Sequence, residues 1–435
     1  MIRVCAGILI ALFSCCAIVA QPAPSEEKFV TREEYERLVK RLDAVTTELA
    51  VVKAQSLQTN VAPNKPSDSE QQDIDLTIRE VRESVNSIIP GDNRFLITGY
   101  MTAGYSDARN DPGTFFAGFN PIFLWKINDR LLFESEVEIE VNSDDGDQTE
   151  VNLEYADFTY ILNDHVTVGA GKFKVPMGIF NQRLESAWIN KLPDRPLPYS
   201  DSAGIAQESS VGAFIEGGFS WNSQKFNYEA WVGNGPAVIT DDPATAGQLN
   251  FDNFTDSNDN KAIGGRVGWL PIPYLELGYS ISYGLVDPNH FESVSNLTQG
   301  FDVSYVRAYD EIKGQVDFRA EWIFSNTDKA TYDPTGTLGF GPTRFNNDRN
   351  AGYVQCAYRP THLDNKVLKN LEFVGRYDRL NVSEDAPGGG WDQRFALGLD
   401  YWITPSFVVK TAYEFDDPQH GTHNNGFFVQ AALGL

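Results

Sequence analysis

Between Phe133 and Val141 the chain reads Phe133-Glu134-Ser135-Glu136-Val137-Glu138-Ile139-Glu140-Val141, with a carboxylate at every second position. Only an extended strand puts Glu134, Glu136, Glu138 and Glu140 on one face and the apolar residues on the other. Such a row holds no nucleophile and no imidazole, so the chemistry it offers is electrostatic: it favours cations and tolerates neutral solutes in the water beside it. The same period sets a second group of charges on the wet side of later strands. These are Lys172 and Lys174, then Asp317, Arg319 and Glu321, then Arg376, Arg394 and Asp400, and finally Lys410 and Glu414. The basic members would make a strip of opposite sign facing the glutamates, an arrangement that orients dipolar solutes without choosing one ion strongly. The plainer reading of the glutamate row is a solvated face with no binding role.

Other chemistry is thinly represented. His420-Gly421-Thr422-His423 brings two imidazoles to a polar loop with Asp416 and Asp417, and reads as a solvated tip rather than a metal site. The acidic stretch from Asn142 to Asp147 lacks the regular ligand spacing of a calcium loop and reads as an exposed hairpin. The five histidines form no placed Ser/His/Asp set, so neither enzymatic activity nor a metal or other cofactor is expected.

Charges on one face need strands to present them, and the period of two runs from Arg94 to the end. It recurs in Phe226, Tyr228, Ala230 and Val232, in Leu275 to Tyr283, in Val316 to Phe324, in Phe395 to Tyr401, in Phe407 to Tyr413 and in Phe427 to Leu435. With weaker runs near 95, 115, 151, 166, 211, 262, 301, 351 and 371 there are 16. The 342 residues from 94 to 435 give each about 21, enough for a membrane-crossing strand of about 10 residues and a connection.

The connections alternate in length. Short turns are expected at 128–130, 163–164, 222–223, 271–273, 309–311 and 404–405, with a longer one at 360–368; polar loops are expected at 106–113, 142–149, 175–208, 235–259, 286–299, 326–348, 381–390 and 416–424. A soluble sandwich has no reason to sort its loops this way, whereas an outer-membrane barrel keeps short turns on the periplasmic side and long loops outside. Aromatic residues crowd the strand ends, among them Tyr100, Tyr105, Trp125, Trp221, Trp269, Trp322, Trp402 and Phe428, as interfacial girdles would require. A barrel of this strand number is too wide for its own side chains to fill. The longest loop, 175–208, is therefore the natural constriction, with Arg183, Glu185, Lys191, Asp194 and Arg195 as its charges.

Upstream the period is different. Tyr35, Leu38, Leu42, Val45, Leu49 and Val52 make a heptad seam capped by Thr31 and Glu34, and Ile74, Ile78, Val81, Val85 and Ile88 make a second, stopped by Pro90 and Gly91. A polar linker, 56–72, separates them. Met1-Ile2-Arg3, an uncharged apolar stretch to Ala20 and Gln21-Pro22 read as a signal peptide, with Leu12-Phe13-Ser14-Cys15 loosely resembling a lipoprotein box as the alternative. Three of the four cysteines lie in the signal, which leaves Cys356 alone and no internal disulfide. The net charge of −25 excludes a nucleic-acid partner. Past the signal no run of about 20 apolar residues exists to form a membrane helix.

Gly171-Lys172-Phe173-Lys174-Val175-Pro176-Met177-Gly178 resembles a signature of the phosphate-selective porin O and P family. Val232-Gly233-Asn234-Gly235-Pro236, Gly268-Trp269-Leu270-Pro271-Ile272-Pro273, Tyr353-Val354-Gln355 with Ala357-Tyr358-Arg359-Pro360, and Leu397 to Ser406 are similar to stretches of the same family. The resemblance covers nearly all of 94–435 and implies a 16-stranded, trimeric diffusion channel with its third loop tucked inside. Phosphate selectivity, which asks for a ladder of arginines and a cluster of lysines along the lumen, does not carry over to a wall that bears a row of glutamates.

The expected protein is thus all-β, a 16-stranded antiparallel transmembrane β-barrel over 94–435, preceded by a signal peptide (1–20) and short N-terminal coiled-coil helices (21–90) on the periplasmic side. Its expected partners are outer-membrane lipid and lipopolysaccharide, two further copies of itself, and the small solutes or ions it conducts. The alternative is a structural protein whose helices tie the outer membrane to the cell wall.

Overall fold

Each stretch of period two becomes a strand. In chain order these are β1 (Phe95–Ala108), β2 (Thr114–Lys126), β3 (Leu131–Val141), β4 (Thr149–Asn163), β5 (Val166–Lys174), β6 (Ser209–Trp221), β7 (Gln224–Gly233), β8 (Ala237–Val238) and β9 (Leu249–Asn250). They continue with β10 (Ala262–Ile272), β11 (Leu275–Leu285), β12 (Ser295–Tyr309), β13 (Gly314–Thr327), β14 (Asn347–Arg359), β15 (Leu371–Val382), β16 (Gly390–Thr404), β17 (Phe407–Pro418) and β18 (Gly426–Gly434). This computed structural model describes residues 95–141, 149–200, 203, 205–240, 242, 245–251, 260–287, 293–332, 342, 344–345, 347–386 and 389–435. The expected signal peptide, heptad helices and linker lie outside the described residues.

Among the described residues, sixteen strands pair antiparallel in chain order and close on themselves, with β18 returning to β1 from Tyr100↔Gly434 to Ala108↔Gly426. The two-residue strands β8 and β9 stand apart from the wall and pair only with each other, within the loop that follows β7. The expected strand number and the sorting of short turns from long loops are both found. At the turn from β6 to β7, Asn222 and Ser223 both have positive φ (47° and 66°), the conformation that a two-residue hairpin loop needs to match the twist of its strands.

The outer face is apolar: Val267, Phe301, Leu397 and Tyr413 are large and exposed there. The girdle holds only in part. Trp125, Trp221 and Trp269 are exposed near the short-turn end, but Tyr100 and Trp402 are buried on the inner face, Trp402 beside side chains of the long loop. Strand-end position alone does not say which way a ring points; parity does.

An arginine placed at mid-strand on the outer face should destabilise the barrel by about 2–4 kcal/mol. Leu397→Arg tests this by urea unfolding in lipid vesicles, with Leu397→Phe as a neutral control. Equal stability for the two variants would argue that this face does not meet hydrocarbon.

Candidate functional site

The segment 175–208 leaves the wall after β5, crosses the barrel and returns to β6. At its neck the amide of Val175 donates to the carbonyl of Glu208 (2.9 Å), and the Asn181 amide donates to the carbonyls of Val175 (2.9 Å) and Glu208 (2.6 Å). Beyond the neck the chain makes a single π-turn at Phe180–Leu184 and a 3-10 turn at Leu197–Tyr199. Irregular backbone must find partners for its polar groups, and here the far wall supplies them.

Glu321 on β13 is the central anchor. It accepts from the Tyr199 hydroxyl (2.6 Å), the Tyr353 hydroxyl (2.8 Å) and the amide of Phe180 (2.9 Å). Gly178 has φ +67°, and a Cβ there would come within 2.0 Å of Glu321 Oε2, so the signature glycine is required both by conformation and by space. The amide of Gly178 donates to Ser280 Oγ on β11 (3.0 Å), and Arg183 pairs with Glu276 on the same strand (2.9 Å). On β15, Arg376 binds Asp194 and holds Asp378 (2.7 Å), whose other oxygen accepts from the amide of Leu197 (3.1 Å); Lys191 pairs with Glu372 (2.8 Å). On β17, Lys410 donates to the carbonyls of Ala187 and Asn190 and to Gln430. Phe173, Val175, Met177, Phe180, Leu197 and Tyr199 form an apolar core with Trp231, Ile323 and Tyr353 of the wall.

Several of the expected wall charges therefore do not meet channel water. Arg376 is 0% exposed, Lys410 1% and Glu321 2%, and Asp400 and Glu414 are buried as well. They face inward but lie between wall and loop, where Arg376, Lys410 and Glu321 hold the loop. Lys172 departs further: it pairs in register with Ala156 and Val211, and Val211 is 37% exposed on the outer face. The inward position belongs to Phe173, whose ring packs against Phe214 and Trp231. The Lys-Phe-Lys triplet inverts the wet-inside rule because a loop, not water, occupies this part of the lumen.

Lys174 sits where the strand bends into the loop and bridges Glu154 (2.8 Å) and Glu185 (2.5 Å); Arg195 bridges Glu185 (2.6 Å) and Glu208 (3.0 Å). Oxygens of Glu154, Glu185 and Glu208 approach within 4.8 Å of one another, and these two cations bridge the three carboxylates. Burial opposes the charge of Arg195, but Glu185 and Glu208 outweigh it and hold its pKa above the ordinary value. Burial and the neighbouring Glu321 push the Tyr199 hydroxyl well up, which keeps it a donor. Arg183 and Arg195, at 44% and 35% exposed, are the loop charges that reach water.

The glutamates of β3 lie on the inner face. Glu134 pairs across strands with Asp157, Glu136 with Tyr155, and Glu138 accepts from the Asn120 amide (3.4 Å). The acidic arc extends further than the sequence reading took it: Glu154 and Asp157 on β4, Glu216 on β6 and Glu229 on β7 join it, and Glu216 pairs directly with Glu229. The signal was present, since each falls on the inward parity of its strand. Glu154 alone is displaced by a bulge, where Glu136 pairs with Tyr155 and the next residue, Val137, with Leu153. His423 bonds to the carbonyl of Asp416 (2.9 Å) at a loop tip.

A profile of the phosphate-selective porin O and P family matches residues 125–425. Among curated proteins the sequence search finds no relative. Two solved structures share the fold: an anion-selective porin from Comamonas acidovorans (11% identity, 78% of this chain and 99% of that one, TM-score 0.51) and OprB of Pseudomonas putida (12% identity, 79% and 94%, TM-score 0.52).

Removing the central anchor should loosen the loop. Glu321→Ala leaves the Tyr353 hydroxyl and the Phe180 amide without an acceptor, at about 1–3 kcal/mol for each that stays buried, while the Tyr199 hydroxyl keeps the Met177 carbonyl (2.7 Å). The expected result in planar bilayers is larger, noisier single-channel conductance than wild type. Unchanged conductance in a folded variant would argue that Glu321 does not hold the loop.

Proposed function

The chain belongs to the phosphate-selective porin O and P family and is an outer-membrane diffusion channel, and from that premise we propose a weakly selective pore that favours cations and neutral hydrophilic solutes over anions. The loop 175–208 is its constriction. The observation that carries this reading is the acidic arc from β3 to β7, where Glu134 faces Asp157 and Glu216 faces Glu229 with no cation interposed in the register. Carboxylates gathered in a narrow, low-dielectric passage raise the local concentration of cations and repel anions. Arg183 and Arg195 on the loop set a smaller positive edge against that arc. The heptad seams at 35–52 and 74–88 support assembly as a homotrimer.

Two measurements test this. The reversal potential in a salt gradient should show cation preference for wild type and a shift towards anions when Glu134, Glu136, Glu138 and Glu140 are all changed to Gln; no shift would remove the selectivity role of that row. Light scattering of the detergent-solubilised full-length chain should give three copies per particle, and a single copy would overturn the trimer.

A further inference from the structure

On the short-turn side of the loop lies a cavity of about 290 Å³, between the chain at 180–191 and the inner face of β13, β14 and β16. Its size falls at the lower end of ligand sites, which run from about 300 to 1,000 Å³, and suits one small solute. Its lining has an apolar, aromatic part in Phe180, Leu184, Trp188 and Trp402 and a polar part in Asn190, Lys191, Asp317, Arg319 and Gln355, the two meeting where the Lys191 ammonium lies over the Trp402 ring (5.5 Å).

The charges of that polar side are already matched within the protein. Arg319 is held by both oxygens of Asp317 (2.6 and 3.2 Å) and by Ser304, and Lys191 pairs with Glu372 (2.8 Å). Two cations against two carboxylates leave no net charge to recognise an ion. Gln355 differs. It is only 6% exposed and lines the cavity, yet among the described residues its side-chain amide makes no hydrogen bond. A buried amide left open into a cavity awaits a partner that can both accept and donate, which is the property of a hydroxyl.

The aromatic side completes the description. A Cβ on Gly434 would lie 2.9 Å from both Cδ2 and Cε2 of Trp188 and 3.1 Å from its Nε1. Near-equal approach to three ring atoms means that Gly434 sits over one face of the indole, and Trp188 also lines the cavity. The indole N–H of Trp402 is fixed by Glu372 (2.8 Å). An aromatic face beside an open amide fits a solute with an apolar flat side and a hydroxylated edge.

We propose that this cavity is a resting site for a neutral, ring-shaped polyol, a monosaccharide in its pyranose form, with its C–H face on Trp188 and its hydroxyls at Gln355 and the Asp317–Arg319 pair. The site gives the diffusion channel a saturable step for sugars, placed just inside the constriction. It rests on the channel reading above and makes that reading specific for one class of solute.

D-glucose is the probe, D-sorbitol the open-chain control and inorganic phosphate the competing anion. Binding is read by tryptophan fluorescence of the full-length, detergent-folded protein, which needs no conduction, and by interruption of single-channel current. Wild type should titrate with glucose in the millimolar range and respond weakly to sorbitol, with phosphate not competing. Gln355→Leu and Trp188→Ala should each raise the apparent Kd roughly tenfold, and Gln355→Leu should leave ionic conductance without sugar at the wild-type value. No saturable glucose signal, equal affinity for sorbitol, displacement by phosphate, or glucose binding unchanged in both folded variants would each overturn the site. Bilayers without current steps would sink the channel reading instead, while the fluorescence titration would still decide the site.

Discussion

Hydrocarbon offers no water to a backbone N–H or C=O, so a sheet that crosses it must bond every strand on both sides. That single requirement forces the return of β18 to β1, and the rest of the structure follows from the closure. Once the sheet is a cylinder its two faces meet different solvents, and the period of two along each strand becomes an assignment of inside and outside. The connections sort as well, because each strand must begin where its neighbour ends and only the ends of one rim are free to carry long loops.

A cylinder of this circumference cannot be filled by its own side chains, so its interior is a second packing problem, solved by the segment 175–208. The solution reverses the usual colouring of a barrel over part of its wall. Phe173, Phe214, Trp231, Ile323 and Tyr353 point inward because the loop brings them an apolar partner. Buried cations point inward there too, with matching groups: Arg376 has Asp194 and Asp378, Arg266 has Glu276 and Asp302, and Lys410 has the carbonyls of Ala187 and Asn190. Breaking one such buried group leaves its partner uncompensated, which is costly. The loop is thus held from the far wall at many points.

This explains what could be read from the sequence and what could not. Strand positions, the number of strands and the order of short and long connections depend on local alternation and turn residues, and they were legible. The inward direction of Glu134, Glu136, Arg319 and Glu321 follows from the same parity. Whether an inward side chain meets water or loop is a long-range fact: nothing near Lys410 announces that the carbonyl of Asn190, 220 residues away in sequence, will accept its hydrogen bond. The Lys172-Phe173-Lys174 triplet failed for the same reason, because either phase satisfies alternation and the deciding partner, Trp231, lies on another strand. Trp402 and Tyr100 stand at strand ends as girdle residues do, but their parity places them inside.

The acidic arc has no such structural explanation. Glu134 with Asp157 and Glu216 with Glu229 are like charges directly across strands, which weakens a sheet. Cations were available to this fold: on the opposite arc Arg319 is spent on Asp317 and Arg394 on Glu414 and Asp416. Among the described residues neither Glu134, Asp157 nor Glu216 has an ion-pair partner, although Lys174 lies close enough to bind Glu154 on the same wall. Of the arc, Glu134 and Glu216 are half-buried and single, whereas Asp157 and Glu136 are buried in the wall; Arg376 and Lys191, which anchor the loop, are paired. Paired charges fix geometry, and single ones keep their field for whatever moves through the water beside them.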